Sequence, residues 1–177
     1  MKNIKLLVIF LSFFINGSAR KSRGIVIVPT GWTGAGVGKV VHYLADKADI
    51  IVRSQGGSAK GHRVVRGSGD GLNLVLLPAG IVRKNTTCYL TTGIKIDPSV
   101  FFSEIDLLKK NNKKTEDRLW VSSRCHVVMP YHRKLDMLLS KKYDVGHDVG
   151  SMKGVGSASS SKHLRTGIRI ADLLDED

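Results

Sequence analysis

Two glycine-rich stretches carry the residue types that could do chemistry. In the first, "GWTGAGVGKVVHYL" (31–44), glycines at 31, 34, 36 and 38 run into Lys39 and an apolar segment. A strand, a glycine turn and a helix start aim backbone N–H groups at a phosphate, and the helix dipole assists. The second, "QGGSAKGH" (55–62), holds three glycines and ends in His62. A histidine there makes one loop hydrogen bond or, if the two loops adjoin, faces a bound phosphate. The phosphate-loop pattern G-x-x-x-x-G-K-S/T is met only at its end. Gly38-Lys39 fits, while Thr33 stands at the first glycine and Val40 at the hydroxyl position. Residue types alone leave a nucleotide site and a packing turn both open.

Other clusters offer less. Cys125-His126 with His132 has no common zinc spacing. Two cysteines, Cys88 and Cys125, make neither a disulfide framework nor a four-thiolate site and read as buried thiols.

The elements that would hold the loops follow from pattern. "GIVIVP" (24–29) and "DIIVRS" (49–54) are apolar, β-branched runs that predict buried parallel strands on either side of an amphipathic helix near Lys39–Lys47, a βαβ unit. Residues 63–77 predict a hairpin about "GSGDG", and 88–96 a strand broken near Gly93. Asp97-Pro98 predicts a helix start, with Phe101, Ile105 and Leu108 on one face. Strands are expected within 119–130, then a helix over Tyr131–Lys142 with Leu135 and Leu138 on one face. Residues 143–161, rich in Gly and Ser, read as mobile or ligand-ordered, and the last residues as a short strand or helix. The class is α/β with a largely parallel sheet.

The chain has 177 residues, enough for one ordinary domain, and a net charge of +13. That charge favours anionic partners: nucleotides, nucleic acid or an anionic lipid surface. Aromatics make up only 6% and do not alternate with basic residues, so the stacking platforms of single-strand binders are not evident. "MKNIKLLVIFLSFFINGSA" has the charged start, apolar run and small residues of an export signal, so residues 1–23 read as a signal-like extension and 24–177 as the domain.

Taken together, these stretches resemble the adenylosuccinate synthetase family. Its first loop reads W-G-D-E-G-K-G-K, here Trp32–Lys39; its second reads Q-G-G-N-N-A-G-H-T, here Gln55–Arg63. "LLPAGIVR" (76–83), "SSRCHVVMPYHRKLD" (122–136) and "GVGSASSSKHLRTGIRIADLL" (154–174) match further family segments in order. Family members are more than twice as long, so the resemblance implies the N-terminal part of that fold.

The family joins IMP and L-aspartate while GTP phosphorylates the purine, with Mg²⁺. The resemblance places GTP contacts at Thr33, Gly34, Gly36, Val37, Gly38, Lys39, Gly61, His62 and Arg63. It places IMP contacts at Ala59, Lys60, Gly61, His62, Ser151 and Arg165, the last reaching a neighbouring subunit's IMP in a homodimer. His62 stands at the catalytic histidine and Gly61 at the glycine whose carbonyl binds Mg²⁺. Gly34 replaces the aspartate that is base and metal ligand, Val37 replaces a phosphate-neutralising lysine, and Ser58 and Ala59 replace asparagine contacts. The expectation is a truncated homologue with impaired ligase chemistry; a non-catalytic nucleotide- or phosphate-binding module, and a basic protein binding nucleic acid or lipid, are the alternatives. The resemblance implies the cytoplasm; the first 19 residues imply export.

Overall fold

A computed structural model describes residues 7–11, 24–28, 36–59, 61–65, 71–143 and 152–174, with backbone only at 7–11 and 62–65. Strands β1 (Leu7–Leu11) and β2 (Gly24–Val28) pair antiparallel. Then come α1 (Val37–Leu44) with a 3-10 turn at Ala45–Lys47, β3 (Ile50–Arg53), and the antiparallel hairpin β4 (His62–Val65) and β5 (Gly71–Leu74). Next are β6 (Thr87–Leu90), β7 (Lys95–Ile96), α2 (Pro98–Lys110), β8 (Leu119–Val121) and β9 (His126–Val127). Helices α3 (Pro130–Tyr143) and α4 (Val155–His163) and a 3-10 turn at Ala171–Leu173 complete the described chain.

The main sheet is parallel, in the order β3-β6-β8, and β7 pairs parallel with β9. Its inner face carries Ile51, Cys88 and Leu119 in register, then Leu90 and Val121. These pack with Leu74, Leu76, Leu77, Ile81, Ile94 and Leu108 into one core. Leu108 is fully buried and Phe101 and Ile105 pack against the same core, as the i, i+4, i+7 spacing requires. Both cysteines are free and buried, and burial pushes the Cys88 thiol up to about 12 against the opposing Arg118.

Residues 75–77 are buried or half-buried yet belong to no strand or helix, so their peptide groups need outside partners. Glu104, on α2, supplies one side. Its carboxylate accepts the N–H groups of Val75, Leu76 (3.0 Å) and Leu77 (2.8 Å). Arg53, at the end of β3, supplies the other. Its guanidinium donates to the carbonyls of Val75 and Leu76, both at 2.7 Å, and of Gly57 at 3.3 Å. Burial pulls the Arg53 value down, and Glu104 opposes the shift.

Asp97 caps α2 by accepting from Ser99 N and Ser99 Oγ, and it pairs with Arg133 of α3. Asp136 of α3 in turn accepts the N–H groups of Gly154 (2.7 Å) and Ser157 (3.0 Å) at the start of α4. Residues 155–163 are therefore a helix, not the mobile segment their composition suggests. A carboxylate 18 residues upstream supplies the cap that Gly and Ser do not.

Two other expectations change. β2 does not join the parallel sheet: it pairs with β1, and Ile25 and Val26 are 48% and 51% exposed. A β-branched run specifies a strand but not its partner. Part of the signal-like segment is thus paired within the described fold. Second, β3 is an edge strand covered on one face, with Ile50 57% and Val52 55% exposed. Leu135 and Leu138 share a face of α3 as expected, and that face is exposed. No helix among the described residues is long and apolar enough to cross a membrane.

Glu104→Ala strands three peptide N–H groups. The expected loss is about 3 kcal/mol, read as a lower urea midpoint at unchanged slope. Acid should act through Asp97. Burial alone would raise its value, but the Ser99 hydrogen bonds and Arg133 hold it below the ordinary carboxylate range. Its contribution is therefore present above about pH 4 and is lost as pH falls through the lower folded value. Asp97→Asn should flatten that part of a stability-versus-pH curve.

Candidate functional site

Ligands of parallel sheets sit beyond the carboxyl ends of the strands. Three connections leave those ends here: Ser54–Gly61 after β3, Thr91–Ile94 after β6 and Ser122–Cys125 after β8. The second glycine loop is held against its neighbours. Gly56 bridges Ile94, and Lys95 N donates to Gly56 O at 2.9 Å. Gly57 must be glycine: a Cβ there would lie 2.9 Å from Lys95 O and 3.1 Å from the Val155 methyls of α4.

Beyond Thr92 and Arg124, at the ends of β6 and β8, opens a cleft of about 760 Å³. Arg124, Lys162, Arg165 and Arg169 line it against the single carboxylate of Asp172, with His126 in its wall. Asp172 is fully engaged by Arg169, whose guanidinium reaches it at 2.6 Å. Lys162 Nζ donates to Thr92 O at 2.5 Å, a carbonyl that leaves its charge uncompensated. No carboxylate among the described residues pairs with Arg124 or Arg165. The cationic field shows in its neighbours: burial first, then Lys162 and Arg169, push His126 down, and burial with Lys162 pushes Lys95 down. His126 is therefore neutral near pH 7, and its Nδ1 is buried without a hydrogen-bond partner among the described residues.

Arg165 occupies an expensive position. α4 ends in a Schellman motif, with Thr166 N donating to Ser161 O (2.9 Å) and Arg165 N to Lys162 O (3.2 Å). The residue at this turn takes a left-handed conformation, φ 60° at Arg165, where glycine is normally preferred. The strain costs about 1 kcal/mol and places a guanidinium in the cleft.

The sequence-derived site residues fare unevenly. Thr33, Gly34, Lys60 and Ser151 lie outside the described residues, and only backbone is described for His62 and Arg63. Gly36 caps α1 at φ 76°, putting Val37, Gly38 and Lys39 in its first turn. α1 packs on β4, the strand that His62 opens. Ala59 is half-buried, and Gly61 lies against Val75 and the Leu74 carbonyl. Arg165 is in the cleft, but Lys162, Arg169 and Arg124 were not singled out by sequence reasoning, and His126 only as a possible metal ligand. The basic residues at 162, 165 and 169 were visible as a spacing; Arg124 joins them only through the fold.

The contact between Ser161 and His132 is not a nucleophile pair. His132 Nδ1 accepts from Met129 N (3.0 Å), so the ring proton is on Nε2, which faces Ser161 Oγ at 3.2 Å. The ring donates to that hydroxyl and cannot take its proton. Among the described residues no three His, Cys, Asp or Glu cluster as metal ligands.

A family model described as adenylosuccinate synthetase matches residues 26–177. The adenylosuccinate synthetase of Desulfitobacterium hafniense is 43% identical over 154 residues, covering 86% of this chain and 35% of the relative. That of Pelotomaculum thermopropionicum is 40% identical over 153 residues, with the same coverage. The fully ligated adenylosuccinate synthetase structure from Plasmodium falciparum superposes with TM-score 0.69 and 30% identity over 81% of this chain and 34% of that one. The succinoaminodeoxyadenylate synthetase of cyanophage S-2L, bound to dGMP and dATP, shares the fold at TM-score 0.62 and 22% identity. The chain spans about 35% of the length of the curated relatives it matches.

Ser58, in the second loop, is fully buried with its hydroxyl unpartnered among the described residues. Removing that hydroxyl relieves a desolvation cost, so Ser58→Ala should raise the unfolding free energy by about 1 kcal/mol in a denaturant titration.

Proposed function

The chain belongs to the adenylosuccinate synthetase family, and from that premise we propose that it binds the phosphate of a purine nucleotide in its cationic cleft without completing the ligase reaction. The observation that carries this is the pairing of an intact cleft with a first loop that lacks its chemistry. Lys162, Arg165 and Arg169 fall in the family-matching segment 154–174, and they line a cleft with four cations and one carboxylate. Arginine forks suit the paired oxygens of a phosphate. IMP is the expected nucleotide. Arg165 matches the family arginine that reaches IMP of a neighbouring subunit, so a homodimer is the expected working form.

Catalysis meets a different fate. Gly34 offers no side chain where the family's base stands, and losing a general base costs on the order of 10²–10⁴ in rate. Val37, in the first turn of α1, supplies no charge toward a transferring phosphoryl group. Mg²⁺ does not fit the residues present. It prefers oxygen ligands, and Gly34 removes the carboxylate, leaving the Gly61 carbonyl without a metal-binding cluster among the described residues. GTP contacts at Gly36, Gly38, Lys39, Gly61, His62 and Arg63 would be binding contacts only, and L-aspartate would have no reaction to enter. The cytoplasm, where IMP and GTP are made, is the expected site of action.

Calorimetric titration with IMP and GTP tests the proposal. IMP should give heat that weakens when ionic strength rises about tenfold, as a charge-assisted site requires. Arg165→Gly separates binding from folding: relieving the left-handed strain should stabilise the chain by about 0.5–1 kcal/mol while abolishing the IMP heat. No heat and no thermal stabilisation from either nucleotide would overturn the binding reading. Formation of adenylosuccinate from IMP, GTP and aspartate would overturn the loss of catalysis.

A further inference from the structure

A parallel sheet carries apolar residues to both faces, and such sheets occur almost only with both faces covered. Among the described residues, the three-stranded sheet here is covered on one. Its inner row packs into the core, while the outer row sets Val52, Tyr89 and Trp120 side by side in register across β3, β6 and β8. Val52 is 55% and Trp120 53% exposed, and Ile50 continues the row at 57%. Tryptophan and β-branched residues aligned on a sheet surface are a packing layer without its partner.

The size of the face decides what could cover it. Strands of three or four residues, about 4.8 Å apart and roughly 3.3 Å per residue, present on the order of 200 Å². A stable pair of proteins buries about 800 Å² on each. A second copy docked through this face alone would fall well short. The occupant must also engage neighbouring surface, such as the free edges of β3 and β8. The family fold supplies such a body: the similar Plasmodium falciparum chain is matched over only 34% of its length, so most of that fold has no counterpart in the matched region.

We infer that the outer face of this sheet is a docking surface for a polypeptide carrying the remainder of the adenylosuccinate synthetase fold. Val52 and Trp120 are its anchors and Tyr89 the floor between them. The interface is apolar at its centre and lies on the sheet's outer face, so it is distinct from the cationic cleft. The inference rests on family membership and not on nucleotide binding.

The full chain is co-expressed with the part of the Desulfitobacterium hafniense adenylosuccinate synthetase that lies outside its 154-residue match. The relative's own matched region serves in parallel as the reference partner. A 1:1 complex on size-exclusion chromatography with mass determination is expected. The double variant Val52→Glu/Trp120→Glu should weaken it about 30-fold or more, as loss of a buried anchor does. Leu135→Glu, on the exposed face of α3, should leave it unchanged. Thermal melts of both variants alone show whether the chain stays folded. The inference is overturned if the relative's fragment binds its own matched region but not this chain, or if the double variant binds as tightly as the parent. It is also overturned if the chain alone is a dimer that the double variant makes monomeric, because a second copy then occupies the face.

Discussion

The structure turns on one buried arrangement: an irregular strand of backbone, residues 75–77, held between the guanidinium of Arg53 and the carboxylate of Glu104. Three residues inside a core cannot leave peptide groups unpaired, since each orphan costs about 1–3 kcal/mol. Donors come from the end of β3 and acceptors from α2, so the clamp joins two elements far apart in sequence. It also reaches the functional end. The same Arg53 guanidinium donates to the carbonyl of Gly57, fixing the second glycine loop to the core. The position of the second glycine loop is thereby tied to the two side chains that hold residues 75–77.

A second consequence follows from where charge is and is not compensated. Carboxylates in this chain are spent on structure: Glu104 on the core loop, Asp97 on the cap of α2, Asp136 on the start of α4, Asp46 on Arg83. The cleft is left with cations and a single engaged aspartate. Surplus charge concentrated in a concave surface is worth more than the same charge spread over solvated faces, because field lines are focused there. The net +13 is therefore not uniform. The cleft and the first glycine loop also draw on different elements. The cleft is built from the ends of β6 and β8 and the α4 segment, whereas Gly34 precedes α1 and Val37 opens it.

How much of this was legible in the sequence depends on the range of the interaction. Local signals were read correctly: the Asp97-Pro98 helix start, the hairpin about 66–70, the break between β6 and β7, and the Leu108 face. Each is set by residues a few positions apart. The family was legible because the order of several motifs is a long-range signal that survives substitution. Helix α4 was missed because Gly and Ser carry no apolar period and its cap is Asp136. The β2 pairing was missed because a run such as "GIVIV" is equally content beside any strand. The cleft was half missed. Arg165 came from resemblance, whereas Arg124 and His126 joined it only once β8 and β9 were placed.

Exposure was the least legible property of all, for a physical reason. An apolar period marks which face of an element wants cover, but it is silent about whether cover is present. Leu135 and Leu138 on α3, and Ile50, Val52 and Trp120 on the sheet, obey their periods and remain open. The buried core nonetheless runs from Leu74 to Cys125, and it includes Leu76 and Leu77 of the 75–77 clamp. Stability and coverage are thus different properties of the described fold. Its inner layer satisfies its own polar groups and packs its own apolar ones. Its outer layer is still written for contacts, and the energy of those contacts is available to an interface because the fold has not consumed it.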